Sequence, residues 1–304
     1  MVRHPAHDEL VVEVARWYRE STPEMGYDLV EGLFGWFNRP TSTGRGRGTV
    51  RPGVGAADVD ALVAEAQEAV ALDSLELVCD DRATAAEVGP ALEARGFEPA
   101  TATVFLAYVG EPDHFDGGGP NGLAIDEVPR GAEGLRVWGA VKLQAFTDAE
   151  EPPSPEALDR ELVVRRAEMA GHARALTARL GGEAVAICGF YEGDDRFVFL
   201  LGTRLPFRHR RVGRALLSHV VQGASALGCR SVVINGDEGG RPVALYQRLG
   251  FTDEVHWRRS WSRNPGTGSA SRPLSLARGW TDPGAPATPR ARSLRRVRSR
   301  RTGT

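Results

Sequence analysis

Residues Leu205–Val220 read LPFRHRRVGRALLSHV. Arg208, His209, Arg210 and Arg211 form a basic loop. It runs straight into Val212, Gly213 and Arg214 and then into apolar positions at helical spacing, Ala215, Leu216 and Val220. The first four N–H groups of a helix lack intrahelical partners, and the dipole adds roughly half a positive charge there. Such a terminus can hold a phosphate or pyrophosphate. Arg208 and Arg211 would add charge-assisted bonds, His209 would assist, and Gly213 would let the first turn approach the anion closely. A solvated basic face has the same composition, so the surrounding sequence has to decide. The spacing is neither that of a Walker loop nor that of the dinucleotide fingerprint.

The loop is preceded by an apolar strand, RFVFLLGTRL, and before that by ARALTARL and EAVAICGF flanking Gly181-Gly182, a strong hairpin signal. Further upstream, LAIDEVPR reads as a strand, LRVWGAVKLQAFTD as a helix, and SPEALDRELVVRRAEM as a second helix capped by Ser154 with Pro155 in its first position. Downstream come the buried strand SVVIN, the short helix RPVALYQRLG and the closing strand EVHWRRSW. The stretch GEPDHFDGGGPNG separates this block from an earlier one. There HDELVVEVARWYRE reads as a helix, Phe37–Gly55 as a loop on its density of breakers, and AADVDALVAEAQEAVAL as a helix. SLELVCDD (strand), TAAEVGPALEARGF (helix) and ATATVFLAYVG (strand) complete it.

The domains expected are therefore residues 1–110, a linker 111–122, a second α/β domain 123–262, and a disordered basic tail 263–304. Ser74–Phe97 and Ser231–Phe251 share one order: Ser, apolar strand, acidic turn, short helix, Gly-Phe. Five residues before the Phe stands Tyr246 in the second copy and Leu92 in the first. A degenerate repeat and a chance pairing of strand-turn-helix units both produce such a match.

Composition sets the class. The chain has 304 residues, 41% apolar and 26% charged, with net charge −2, which fits a globular protein without the overall charge of a nucleic-acid binder. Asn264–Thr304 holds nine Arg and one Asp, +8, leaving about −10 on the rest of the −2 total. The basic strip Arg292–Arg301 lacks an aromatic platform, so no specific nucleic acid is expected. Lys142 is the single lysine against 37 arginines, so arginine identity alone marks nothing. Cys79, Cys188 and Cys229 are odd in number and far apart, which fits reduced thiols and a cytoplasmic location. No apolar run reaches the length of a membrane span. The histidines form no close ligand set, and no metal is expected.

The loop and the later segment ALYQRLGF, Ala244–Phe251, together resemble the GCN5-related N-acetyltransferases. Their acyl-CoA signature, Arg or Gln, two residues, Gly, one residue, Gly or Ala, falls on Arg208 to Gly213, with Arg211 in place of the first glycine. A register starting at Arg210 also satisfies the pattern, but the first preserves the match through VGRALL. Gly239 and Pro242 stand where Asn and Ala are common. The resemblance covers Leu123–Ser262 and implies an α/β acyl-CoA N-acyltransferase fold, a mixed sheet with flanking helices. It implies acetyl transfer from acetyl-CoA to a primary amine of a small molecule or peptide. On it, backbone groups of Leu201, Gly202 and Thr203 meet the thioester, the loop from Arg208 to Arg214 binds the pyrophosphate, and Tyr246 protonates the departing thiolate. A CoA-binding scaffold without catalysis is the alternative, supported by Arg211, Gly239 and Pro242.

Glu183, Glu192, Asp194, Asp195, Asp237 and Glu238 are the available bases, and none is singled out. His219 falls on the inward side of its helix. A chain without residues 1–110 is expected to keep part of the CoA site. Neither the acceptor nor an oligomeric state follows from the sequence.

Overall fold

The computed structural model describes residues 27–40, 46–70, 74–108, 110–111, 115, 118–129, 131–170 and 173–263. The helix read in HDELVVEVARWYRE and the tail from residue 264 lie outside them. The first half runs β1 (Tyr27–Glu31), β2 (Gly35–Pro40), β3 (Gly46–Val50), α1 (Val59–Val70), β4 (Leu75–Cys79), α2 (Arg82–Glu93), β5 (Glu98–Pro99) and β6 (Thr103–Tyr108). The second runs β7 (Leu123–Glu127), α3 (Ala132–Thr147), α4 (Pro155–Ala170), β8 (Ala173–Leu180), β9 (Glu183–Glu192), β10 (Arg196–Thr203), α5 (Val212–Ala226), β11 (Val232–Asp237), α6 (Arg241–Arg248) and β12 (Asp253–Arg263).

Most elements fall where periodicity puts them, and Ser154 Oγ caps α4 by accepting from the Ala157 N–H at 3.2 Å. The stretch Phe37–Gly55 does not. It holds most of β2 and all of β3. Its glycines mark close packing: a Cβ on Gly48 would stand 2.7 Å from the Phe37 ring. The final strand also extends through Arg263, one residue into the segment read as tail.

The strands form one sheet in the order β1-β2-β3-β4-β12-β6-β11-β10-β9-β8-β7, with β5 beside β12. Among the described residues only β3/β4 and β10/β11 pair in parallel. The order interleaves the halves. Strand β6 of the first half lies between β11 and β12 of the second. Strand β12 pairs with β6 through Asp253–Arg258 and with β4 through Arg259–Arg263. The exchange is nearly two-fold: Trp261 opposite Pro99 corresponds to Ala107 opposite Asp253. The helix before each exchanged strand ends in the same turn, with Phe97 N–H donating to Leu92 O at 3.1 Å and Phe251 N–H to Tyr246 O at 3.0 Å. The two halves thus meet along a continuous hydrogen-bonded ladder. Within the linker Phe115 is buried against Tyr108 and Phe251, with centroids 5.3 and 6.1 Å apart.

Alternation along the strands gives the sheet two faces. On one, α1, α2, α5 and α6 cover a core that includes Leu62, Leu77, Trp261, Leu217 and Tyr246. On the other, α3 and α4 cover Phe105, Trp138, Phe197 and Val233.

Asp80, which follows β4, ties the halves by charge. It accepts from Arg258 Nε at 2.6 Å and Nη2 at 3.1 Å, with His256 Nε2 at 3.3 Å. Burial pushes its carboxyl up, but the Arg258 guanidinium and the neighbouring His256 outweigh that and hold it far below the usual carboxylate range. A depressed folded pKa contributes stability above the unfolded value near ~3.9, which is lost as pH falls toward the folded one. Asp80→Asn is therefore expected to cost about 2–3 kcal/mol at pH 7. The difference from wild type should narrow below about pH 3. Urea unfolding at both pH values checks this, and a pH-independent difference would refute it.

Candidate active site

Parallel pairing between β10 and β11 covers only Arg196–Val198 against Val232–Ile234. A register shift of β10 against β9 between Val198 and Leu200 accompanies the parting. Beyond it the two strands diverge, and Leu201, Gly202 and Thr203 face Asn235 and Gly236 across a cavity of about 710 Å³. Backbone along this stretch of β10 is thereby released from the β11 ladder.

A 3-10 turn, Leu205–Phe207, leads from β10 into the basic loop, and α5 starts at Val212. Its first turn, Val212, Gly213 and Arg214, lines the cavity together with His209 and Arg211. His209 and Arg211 are exposed and left-handed, with φ of 62° and 63°. Arg211 thus adopts a backbone conformation that favours glycine, at a cost of roughly 1 kcal/mol for a side chain with a Cβ. Arg211→Gly is expected to raise stability by about 0.5–1 kcal/mol in chemical denaturation. A loss of stability would show that the side chain's own contacts outweigh the strain. Arg210 lies outside the cavity lining, with its guanidinium 5.7 Å from the Phe207 ring centroid.

Arg208 corrects the sequence reading. Its side chain is buried, its Nε donates to Thr203 O at 3.1 Å, and its Nη2 donates to Ala145 O at 2.8 Å and to Asp148 Oδ1. The guanidinium therefore anchors the loop to the end of α3, because a buried charge needs fixed acceptors. It is not an exposed phosphate ligand. Nη1 is buried without a protein acceptor.

Tyr246 is carried by α6 and lines the cavity. The helix seats directly on β11: a Cβ on Gly236 would stand 2.9 Å from Val243 Cγ2 and 3.6 Å from the Tyr246 ring. Burial, with a smaller contribution from Cys188, pushes the Tyr246 phenol well above its usual range. Cys188 and Cys79 are buried, and desolvation raises both thiols to about 12, so neither is a ready nucleophile.

The cavity sorts the carboxylates. Glu183 pairs with Arg204, Glu192 with Arg196, and Asp195 with Arg230 and Ser231. Glu238 pairs with Arg82. These four, and Asp194, lie outside the lining, whereas Asp237 is within it. Glu76 of β4 also lines it and was missed, because it belongs to the other half. Its signal was a lone acid inside the apolar strand SLELVCDD. His219 is exposed, not inward, beside Leu123 and Ile125 of edge strand β7.

Residues 124–240 match the family model described as an acetyltransferase (GNAT) domain. The match ends six residues before Tyr246. Solved structures share the fold across both halves. A GCN5-related N-acetyltransferase from Kribbella flavida is 18% identical, with TM-score 0.60 over 84% of this chain and 96% of that one. A functionally unknown conserved protein from Staphylococcus epidermidis ATCC 12228 is 11% identical, with TM-score 0.58 over 79% and 94%. A tandem GNAT protein from the clavulanic acid biosynthesis pathway is 16% identical, with TM-score 0.54 over 80% and 85%. The diverging strands and the basic helix terminus both lie inside the matched residues, so residues 124–240 form an acetyltransferase (GNAT) domain and the protein is an acyltransferase.

Proposed function

We propose that the protein transfers an acetyl group from acetyl-CoA to a primary amine. The observation that carries this reading is the divergence of β10 from β11 directly beneath the first turn of α5, with Tyr246 in the same cavity wall. The residues fit a CoA thioester on two counts. A Cβ on Gly213 would point toward Thr203 Oγ1 at 3.6 Å and Leu201 at 3.9 Å, so the missing side chain leaves width between helix and strand. The buried Arg208 Nη1 adds a donor without a protein acceptor to the same wall.

Acetyl-CoA, when bound, supplies an activated acyl group on sulfur. The chain's part is to hold, orient and move protons. The α5 N-terminus with Arg211 and Arg214 attracts the pyrophosphate. The released backbone of Leu201–Thr203 supplies donors where charge develops on the carbonyl oxygen. Tyr246 holds the proton for the departing sulfur, and its raised pKa keeps the phenol protonated through neutral pH. Asp237 is the carboxylate of the second half placed to take a proton from an incoming ammonium.

The first half carries Leu92 at the position of Tyr246 and Arg51-Pro-Gly-Val-Gly55 at the position of the basic loop, so we assign chemistry to the second half alone. Titration of the purified protein with acetyl-CoA by calorimetry, then CoA release across amines, amino acids, aminoglycosides and peptides, tests the proposal. Amine-dependent release is the expected result. Binding without transfer to any acceptor would replace it with the scaffold reading.

A further inference from the structure

The cavity is lined from both faces of the sheet. Tyr246 of α6, Leu249 just after it and the start of α5 lie on one face. Phe146 of α3, Thr103, Asn235 and Asp237 lie on the other, by alternation with Val104, Ile234 and Gly236. That second mouth continues sideways past Arg258 and Ser260 of β12 to Glu76 of β4 and Arg47 of β3. Its outer end is thus contributed by the first half.

The charges along this path are not equivalent. Arg258 is engaged by both carboxylate oxygens of Asp80. Arg47 is held more loosely: its Nε stands 3.6 Å from Glu76, beyond hydrogen-bond distance, and its side chain is 35% exposed. Nearer the strand divergence stands the carboxylate of Asp237. The path therefore offers an acid by the reacting end and an adaptable cation at the far end.

Resting on the acetyl-transfer reading, we infer that the acceptor is an elongated amine bearing an anionic group at its far end, its nitrogen at the β10/β11 divergence and its anion on Arg47. Neighbouring strands stand about 4.8 Å apart, so β3 lies four spacings, roughly 19 Å, from β11. Side-chain reach shortens this, but more than about 10 Å remains between amine and anion. An extended peptide spans about 3.3–3.6 Å per residue, so three or four residues match the distance. A single carboxylate suits the site better than a phosphate dianion, since Glu76 lies beside Arg47.

The test measures kcat/KM with acetyl-CoA on the full chain, using matched tetrapeptides with a free C-terminal carboxylate or an amide, and single amino acids. The acid should exceed the amide by about tenfold, the scale of one charge-assisted hydrogen bond, and should exceed single amino acids. Arg47→Ala should bring the acid-to-amide ratio close to one, with Arg47→Lys restoring part of it. Equal rates for acid and amide, a preference for single amino acids, or an unchanged ratio in Arg47→Ala would overturn the inference. So would acetylation of other amines with no peptide turned over, which leaves the proposed function standing. Absence of CoA release with every amine would instead remove the proposed function, and this inference with it.

Discussion

A chain lacking residues 1–110 is expected not to fold, although it retains the matched GNAT stretch. The deletion removes β6, which fills the gap between β11 and β12. Both neighbours would be left with open edges facing one another, and open edges template aggregation. Val104, Phe105, Leu106 and Tyr108 are each buried at 7% exposure or less. At roughly 2 kcal/mol per buried side chain their loss approaches the whole stability of a typical domain, about 5–15 kcal/mol. The earlier expectation that part of the CoA site survives this truncation therefore gives way. A chain starting at residue 97 keeps β5 and β6 and is the informative comparison. It should regain soluble protein and a cooperative thermal transition, with reduced stability because Arg259–Arg263 still lacks β4. A cooperative, monomeric transition in the shorter chain would show that β6 is dispensable.

Tyr246→Phe is expected to lower kcat on the order of 10²-fold, the usual scale for a positioned acid. It should leave CoA affinity within about twofold. The ring packs between Val243, Gly236 and Phe251, and Phe keeps that volume. What disappears is the O–H. The sign of the pH dependence follows from burial: the acid works while protonated, so wild-type kcat persists below the raised phenol pKa and falls as pH rises through it. The variant should lack that alkaline limb. An unchanged kcat under conditions where chemistry limits turnover would remove Tyr246 from the role.

These two variants also show where the sequence was legible. Period and punctuation placed the helix at Val212, the Gly181-Gly182 hairpin and the Tyr246 segment, because each is a local pattern whose core face is set by its own spacing. Phe37–Gly55 misled because glycine marks both a turn and a strand against which a neighbour packs closely, and only the partners Phe37 and Val70 separate the two. Arg208 misled for a related reason: its arginine type suits a phosphate or a carbonyl cluster, and Ala145 and Asp148 lie some sixty residues earlier. Glu76 and Arg47 could not be connected to Tyr246 at all. Their shared cavity depends on which strands lie side by side, and the β12–β4 pairing joins residues at least 180 apart.

The exchanged strands have a further consequence, for the order of events at the ribosome. Strand β4 is made early, yet its neighbour β12 ends at Arg263. Until almost the whole described chain has been synthesised, the first half holds an unpaired inner strand and cannot close its own core over Trp261, which is 0% exposed in the finished protein. Domains of a nascent chain generally fold in turn, but here the earlier half waits for the later one. The nascent protein therefore carries sticky sheet surface for most of its translation, and a chain released before residue 252 contains neither half in finished form.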